Sequence, residues 1–440
     1  MRVTLLHTND IHGRIGGLAR VATLVERVRN ETPHRVVYVD AGDVEETTTR
    51  LSNLTKGVAM HRLLSAAGCE AAAVGNAVWL RYGPQVIAEQ ARAASYPLLL
   101  ANLAPVEGVQ ATTLIDGVGF VGVTDPFRLF LDGFDYGLRV TDEVEAVRRG
   151  ARELRAAGAE LVVCLSHLGY SQLDGRRDPI TIDPELAERV QGEVDVIVGA
   201  HSHELLPTGE RVGSVTIAQA GKFAEHLGRI DVIDGEIRTS VIEVTEDVPQ
   251  HPRVLAAIAE AEHDLDAALD EVIAELDAPL DAQWIAEMLR IRMGAEVGLV
   301  TSGAALDWPL PAGPLRRRDL WEACHSTANP AVVELTGAQL AHILERGGDS
   351  EFQQTTSGPL RGKPRGPLCV AGATPVDPDR TYVVAATDFE LEHYGGMVDP
   401  DWQLSVRYDF PTIVREAIEE HLAAEPSARP QGASAGTQHA

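Results

Sequence analysis

Cysteine is scarce, with four residues in a chain of 440, and the positions 69, 164, 324 and 369 form no Cys-x-x-Cys pair. That scarcity excludes a disulfide-built scaffold and an all-thiolate zinc site. The apolar neighbours of each thiol predict buried, reduced side chains. Basic residues are few as well: 38 Lys and Arg stand against 65 Asp and Glu, a formal net charge of −27 at pH 7. A surface of that sign repels nucleic acid and anionic lipid, which excludes non-specific binding to either. A small anion is still admissible where bound metal cations reverse the field locally. Long apolar runs are missing, none approaching the roughly 20 residues of a bilayer span. The chain opens on a strand-like run at 3–6 instead of a charged segment followed by a long apolar stretch. The expectation is a cytoplasmic protein without membrane or nucleic-acid partner, whose oligomeric state the sequence leaves open.

What is present instead is length enough for two cores, and short apolar runs alternating with helical patterns in the first half. The runs lie at 3–6, 36–39, 71–74, 98–100, 161–165 and 194–198, followed by 215–218 and 228–232. A helix is predicted over 142–157, entered through Thr141 and left through Gly158. Over 252–276 the apolar positions Val254, Ile258, Ala261, Leu265, Ala268, Val272 and Leu276 recur every three or four residues, which predicts one amphipathic helix. Its other face is acidic and expected to be solvated. These patterns divide the chain into a first domain 1–248, a linking helix 249–280, a second α/β domain 281–425 and a disordered tail 426–440. Within the second domain the expected elements are helices at 281–293 and 411–423, strands at 296–301 and 382–386, and a strand–turn–helix at 332–345.

Chemistry gathers where the first-half strands end, because strand ends in a sheet converge on one rim. The first ends in His7-Thr8-Asn9-Asp10-Ile11-His12-Gly13, the second in Asp40-Ala41-Gly42-Asp43 and the third in Gly75-Asn76. Two later strands end in Ser166-His167 and in Gly199-Ala200-His201-Ser202-His203. Taken singly, Asp and Asn after a strand are turn formers, a reading that is strong for Asp40 and Asn76. The Asp-x-His and His-x-His pairs say more, since alternate residues of an extended segment project to one side and reach a shared centre. Carboxylate, imidazole and amide ligands together suit Mn²⁺, Zn²⁺ or Fe²⁺ better than an all-oxygen calcium site.

In order and spelling these motifs resemble the metal-dependent 5′-nucleotidase family, a branch of the calcineurin-like metallophosphoesterases, and the likeness runs nearly from end to end. The resemblance implies a four-layered α-β-β-α metallophosphoesterase sandwich with a second, smaller α/β domain. It also implies two divalent metal ions, manganese foremost. By that resemblance Asp10, His12 and His203 hold one metal, Asn76, His167 and His201 hold the other, and Asp43 bridges them. Such a pair of cations holds a bridging hydroxide near neutral pH and stabilises in-line displacement at phosphorus. The implied reaction is hydrolysis of a small phosphate ester, a nucleotide or a related phosphomonoester or diester.

The sequence departs from the family in three places. The third motif normally supplies a His–Asp dyad for the leaving group, and its two positions are Ala77 and Leu80, so no catalytic acid is assigned. A positioned acid is worth about 10²–10⁴-fold, which predicts slow catalysis or a substitute; His61, Arg81 and Tyr82 are close in sequence. In the second domain, Thr301-Ser302-Gly303-Ala304-Ala305-Leu306 lacks the arginine that grips phosphate. Cys324-His325 and Gly395-Gly396-Met397-Val398 replace the aromatic pair that sandwiches a base. Trp308, Phe352, Phe389, Tyr394 and Trp402 are left to build a different pocket. These losses motivate a rival expectation, a metal-loaded pseudoenzyme that binds a nucleotide or sugar phosphate without efficient turnover. Gly16-Gly17 and Arg316-Arg317-Arg318 are further candidate anion contacts, each with a plain structural alternative.

Overall fold

Side chains that alternate along short β-branched runs can bury one face of a sheet, and here two sheets bury such faces against each other. Val3, Leu5, Val37 and Val39 of one meet Phe120, Val163, Leu165 and Val198 of the other in a single core. The computed structural model describes residues 1–126, 136–172, 181–347, 366–372, 375–391, 397–399 and 401–424. The expected tail 426–440, the pair Gly395-Gly396, Phe352 and Tyr394 lie outside them. The chain forms two units that divide after His263.

In the first unit the first sheet runs, in spatial order, Glu236–Glu243, His226–Ile233, Arg2–Thr8, Arg35–Asp40, Ala71–Ala73 and Leu98–Leu99. The second runs Glu210–Val212, Val215–Ala218, Val196–Gly199, Leu161–His167, Val118–Thr124 and Thr112–Ile115. Helix Ile15–Glu31 packs on the first sheet, and helices Glu143–Ala156 and Asp183–Arg189 cover the outer face of the second. The result is the four-layered sandwich. The central strands of both sheets are parallel, so their carboxyl ends lie along one edge.

Three local expectations are corrected. Helix Glu143–Ala156 is capped by Asp142, whose carboxylate accepts from Glu145 N, and not by Thr141. The helix expected over 252–276 ends at Leu269, and Val272–Leu276 is a strand paired with Gly313–Arg316. There the β-branched Val272-Ile273 pair favours the ladder over another helical turn, so no single linking helix spans 249–280. Strand Val118–Thr124, not foreseen, lies in the second sheet between Leu161–His167 and the edge strand Thr112–Ile115. Its Gly119 and Gly122 break the apolar run, yet each is required by packing: a Cβ at Gly122 would meet Leu99 backbone at 2.6 Å.

The second unit holds a five-stranded sheet ordered Leu368–Gly372, Val297–Thr301, Thr381–Thr387, Pro330–Thr336 and Arg407–Tyr408. Helices Ala282–Arg292 and Val414–Ala424 supply much of one core, and Gly337–Gly347 lies on the other face. Asp281 caps the first of these through Trp284 N. Cys69, Cys164 and Cys324 are buried and free, while Cys369 is partly exposed. Among the described residues no helix is long and apolar enough to cross a membrane.

Candidate metal centre

The rim where the parallel strands end is built from backbone that most residues avoid. Asp10 (φ 50°), His12 (φ 47°), Asp43 (φ 56°), His201 (φ 72°) and His203 (φ 66°) all adopt left-handed conformations. Such geometry costs on the order of 1–3 kcal/mol per residue and persists only where surrounding structure enforces it. The enforcement is visible. Asp10 N donates to Gly42 O at 2.9 Å, His12 N to Asp43 O at 2.9 Å, and Phe223 N to Asp10 O at 2.7 Å. His201 N donates to the Asp10 carboxylate at 2.9 Å, and Asn9 steadies the same carboxylate through its side-chain amide at 2.8 Å.

Two groups of donors result. Asp10, His12 and His203 each offer a ligand atom within 4.8 Å of the others, and so do Asp43, His167 and His201. Asn76 Oδ1 lies 3.3 Å from His167 Nε2 and joins the second group. Asp43 stands between them, with Oδ2 3.2 Å from His167 Nε2 and 3.9 Å from His12 Nε2. Its other oxygen is fixed by the amides of Asn76 at 2.6 Å and Ala77 at 2.9 Å. All seven residues selected from the sequence therefore meet at one rim. Asp40 stays apart, accepting from Gly42 N and Thr8 Oγ1 inside the sheet, where burial lifts its carboxyl to about 7.

The imidazoles are aimed by partners the sequence did not reveal. His167 Nδ1 donates to Ala41 O at 2.9 Å, which turns Nε2 toward Asp43 and Asn76. His12 Nδ1 lies 3.3 Å from Glu46 Oε2, and His201 Nε2 lies 3.3 Å from the buried Asp125 Oδ2. Asp125 follows the unforeseen strand Val118–Thr124, and a strand-end carboxylate before a proline was the signal that recognising the strand would have exposed.

Without a cation, the rings take protons in its place. Burial opposes charge on His12, but the hydrogen bond to Glu46 and the charges of Asp43 and Asp10 prevail and raise it to about 9. Burial likewise opposes charge on His167, and Asp43 outweighs it, raising the ring to about 10. Burial would lift Asp43, yet His167 beside it pulls the carboxyl below the usual range. Asp10 is lowered too, its burial outweighed by the His203 hydrogen bond and by His167 and His12. The rings of His12 and His203 meet edge-on with Nε2 atoms 3.1 Å apart, where at most one proton fits between them. These residues fit metal: carboxylates short of positive charge, and nitrogen lone pairs directed at shared points.

The dyad positions are apolar. Ala77 is half-buried and its amide serves Asp43, while Leu80 is buried in the short helix Trp79–Tyr82. His61 is no substitute, being buried between Tyr96 OH at 2.8 Å and Glu45 Oε1 at 3.3 Å. In the second unit the rewritten motifs are tied to their own surroundings. Glu390 accepts from the amides of Thr301 and Thr387, His325 Nδ1 lies 2.9 Å from Asp307 Oδ2, and Met397 and Val398 enter the core. Phe389 and Trp402 pack against that core, whereas Trp308 is 50% exposed. Arg317 pairs with Glu271 and Glu419, and Arg318 with Asp266 and Asp270, so two of the three arginines of the run are occupied by acids, while Arg316 donates to Asp270 O.

Comparison with known proteins agrees with this geometry. Residues 3–205 match the model of the calcineurin-like phosphoesterase family, and residues 277–399 match that of the 5′-nucleotidase C-terminal domain. The uncharacterized metallophosphoesterase YunD of Bacillus subtilis (strain 168) is 26% identical over 402 residues, 84% of each chain. The 5′-nucleotidase of Bos taurus is 27% identical over 58% of this chain and 52% of its own. A 5′-nucleotidase precursor of Thermus thermophilus superposes with a TM-score of 0.59 at 23% identity, covering 96% of each chain.

Proposed function

We propose that this chain, whose two halves match the calcineurin-like phosphoesterase and 5′-nucleotidase C-terminal models, is a phosphoesterase of that kind that hydrolyses a nucleotide or a related small phosphate ester with two divalent cations, manganese foremost. The observation that carries the reading is the meeting of seven donors in two adjoining groups around Asp43. Asp10, His12 and His203 would hold one cation, Asn76, His167 and His201 the other, and Asp43 would serve both. When bound, such a pair polarises phosphoryl oxygens and supplies an activated water at neutral pH.

The chain's own residues do the rest. The amides of Asn76 and Ala77 hold the Asp43 carboxylate in one orientation, Ala41 O fixes the His167 ring, and the carboxylates of Glu46 and Asp125 lie 3.3 Å from the His12 and His201 rings. Strained backbone at five of the donors keeps the site formed before substrate arrives. No side chain at positions 77 or 80 can give a proton to the leaving oxygen, so esters with good leaving groups are favoured over simple alkyl esters. The test is phosphate release by manganese-reconstituted protein from nucleoside monophosphates, cyclic nucleotides, nucleotide sugars and sugar phosphates. Turnover that disappears in Asp43→Ala supports the reading. Turnover equal in the two proteins, or absent from both, overturns it.

A further inference from the structure

Beside the first donor group lies a second cluster that none of the metal chemistry uses. The Phe223 ring stands 5.8 Å from the His12 ring and 6.2 Å from the His203 ring. Two cations lie on it: Arg14 Cζ is 4.5 Å and Lys222 Nζ 4.8 Å from its centroid. Arg14 is exposed, Lys222 and Phe223 are half-buried, and neither cation forms an ion pair among the described residues. The arginines of the run 316–318 behave differently, with Arg317 and Arg318 each bound to two or more acids.

The cluster is held rigidly. Phe223 (φ 60°) and Ala224 (φ 55°) are both left-handed, and Phe223 N is bonded to the carbonyl of Asp10, a metal-site donor. Gly17 lets the helix after Arg14 approach this loop, since a Cβ there would reach Ala224 Cβ at 2.9 Å and Phe223 O at 3.2 Å. Backbone strain kept beside a reaction centre marks a placed side chain.

Charge gives the cluster its role. Asp10, Asp43, Glu46 and Asp125 surround the donor groups, and ionised they offset two divalent cations. Neutralising an incoming phosphate then falls to other groups, and the second unit has lost its arginine at Leu306. A guanidinium beside an ammonium, both over an aromatic ring, suits a dianionic phosphate. We propose that Arg14 and Lys222, placed by Phe223, bind the substrate phosphate and make the enzyme prefer phosphomonoester dianions over diester monoanions. This rests on the hydrolytic reading above, and names the groups that select its substrate.

The experiment compares wild type with Arg14→Ala, Lys222→Ala, the double variant and Arg14→Lys. It reads kcat and KM on p-nitrophenyl phosphate and bis(p-nitrophenyl) phosphate, metal content, and the affinity for inorganic phosphate. The expected result is a loss of about 10-fold or more per alanine in monoester kcat/KM, carried by KM, as for a lost charge-assisted contact. The diester should lose less than about 3-fold, since one charge fewer is recognised, and Arg14→Lys, which keeps the charge but not the planar fork, should regain only part of the loss. Phosphate affinity should weaken in parallel while metal content stays constant. Equal losses on both esters, or unchanged phosphate affinity in the double variant, would overturn the proposal. Phosphate affinity is readable even in protein that turns over no ester, so a failure of hydrolysis and a failure of this contact are told apart.

Discussion

The rim of the first unit and the loops of the second use their polar residues in opposite ways. At the rim two groups of candidate metal donors, with Asn76 beside the second, converge, and strained backbone holds them. In the second unit the corresponding recognition motifs are replaced, and the replacements bond inward: Glu390 to two amides, His325 to Asp307, Met397 and Val398 to the core. A donor set tolerates no partial change, since removing one ligand leaves a buried charge or lone pair without its cation. A recognition loop can be rewritten one contact at a time.

That contrast can be broken most forcefully at Asp43. Asp43→Ala removes the donor shared by both groups, and phosphate release should fall to background with a drop in bound metal measured by elemental analysis. The aiming residues come next. Asp125→Asn leaves every donor in place but weakens the hold on His201, so metal affinity or activity should drop about 10–100-fold, measured by metal titration. In the opposite direction, Ala77→His places a titratable ring at the vacated dyad position. An increase of kcat by up to about 100-fold on alkyl phosphates, with little change on p-nitrophenyl phosphate, is expected from a restored acid.

The strand-end donors were legible because each is a polar residue placed immediately after a β-branched run, in pairs two apart. Asp125 was not, because Gly119 and Gly122 disguised its strand. Glu46 was not, because nothing in its spacing shows that the chain folds back onto His12. The pairing of Val272–Leu276 with Gly313–Arg316 was equally hidden: an apolar spacing of three and four fits a helix, and only a distant partner makes it a strand. Local patterns thus revealed the layers of the sandwich and its rim, while long-range contacts decided the aiming residues and the end of the helix.

Protonation offers a gentler test of the rim. In metal-free protein His12 and His167 sit at about 9 and about 10, above the ordinary histidine value of 6.5. Their protonated forms stabilise the fold fully below pH 6.5, and this contribution is lost as pH rises through 9 and 10. Chelated protein should therefore melt at falling temperature from pH 7 to 10. Metal-loaded protein, whose imidazoles bind neutral, should fall less, and metal uptake should release protons. The smallest effect is expected in the second unit, where His325→Ala breaks a half-exposed pair. Such pairs contribute roughly 0–1 kcal/mol, so stability and turnover should change little in a melt and an assay run side by side.

The measurement closest to the central claim is the metal content of purified, manganese-reconstituted protein, taken beside its phosphate release. Two ions per chain in wild type, with both metal content and turnover lost in Asp43→Ala, is the predicted result. Turnover that survives complete chelation, or an Asp43→Ala protein that keeps two ions and full activity, would contradict the assignment of this rim as a two-metal phosphoesterase centre.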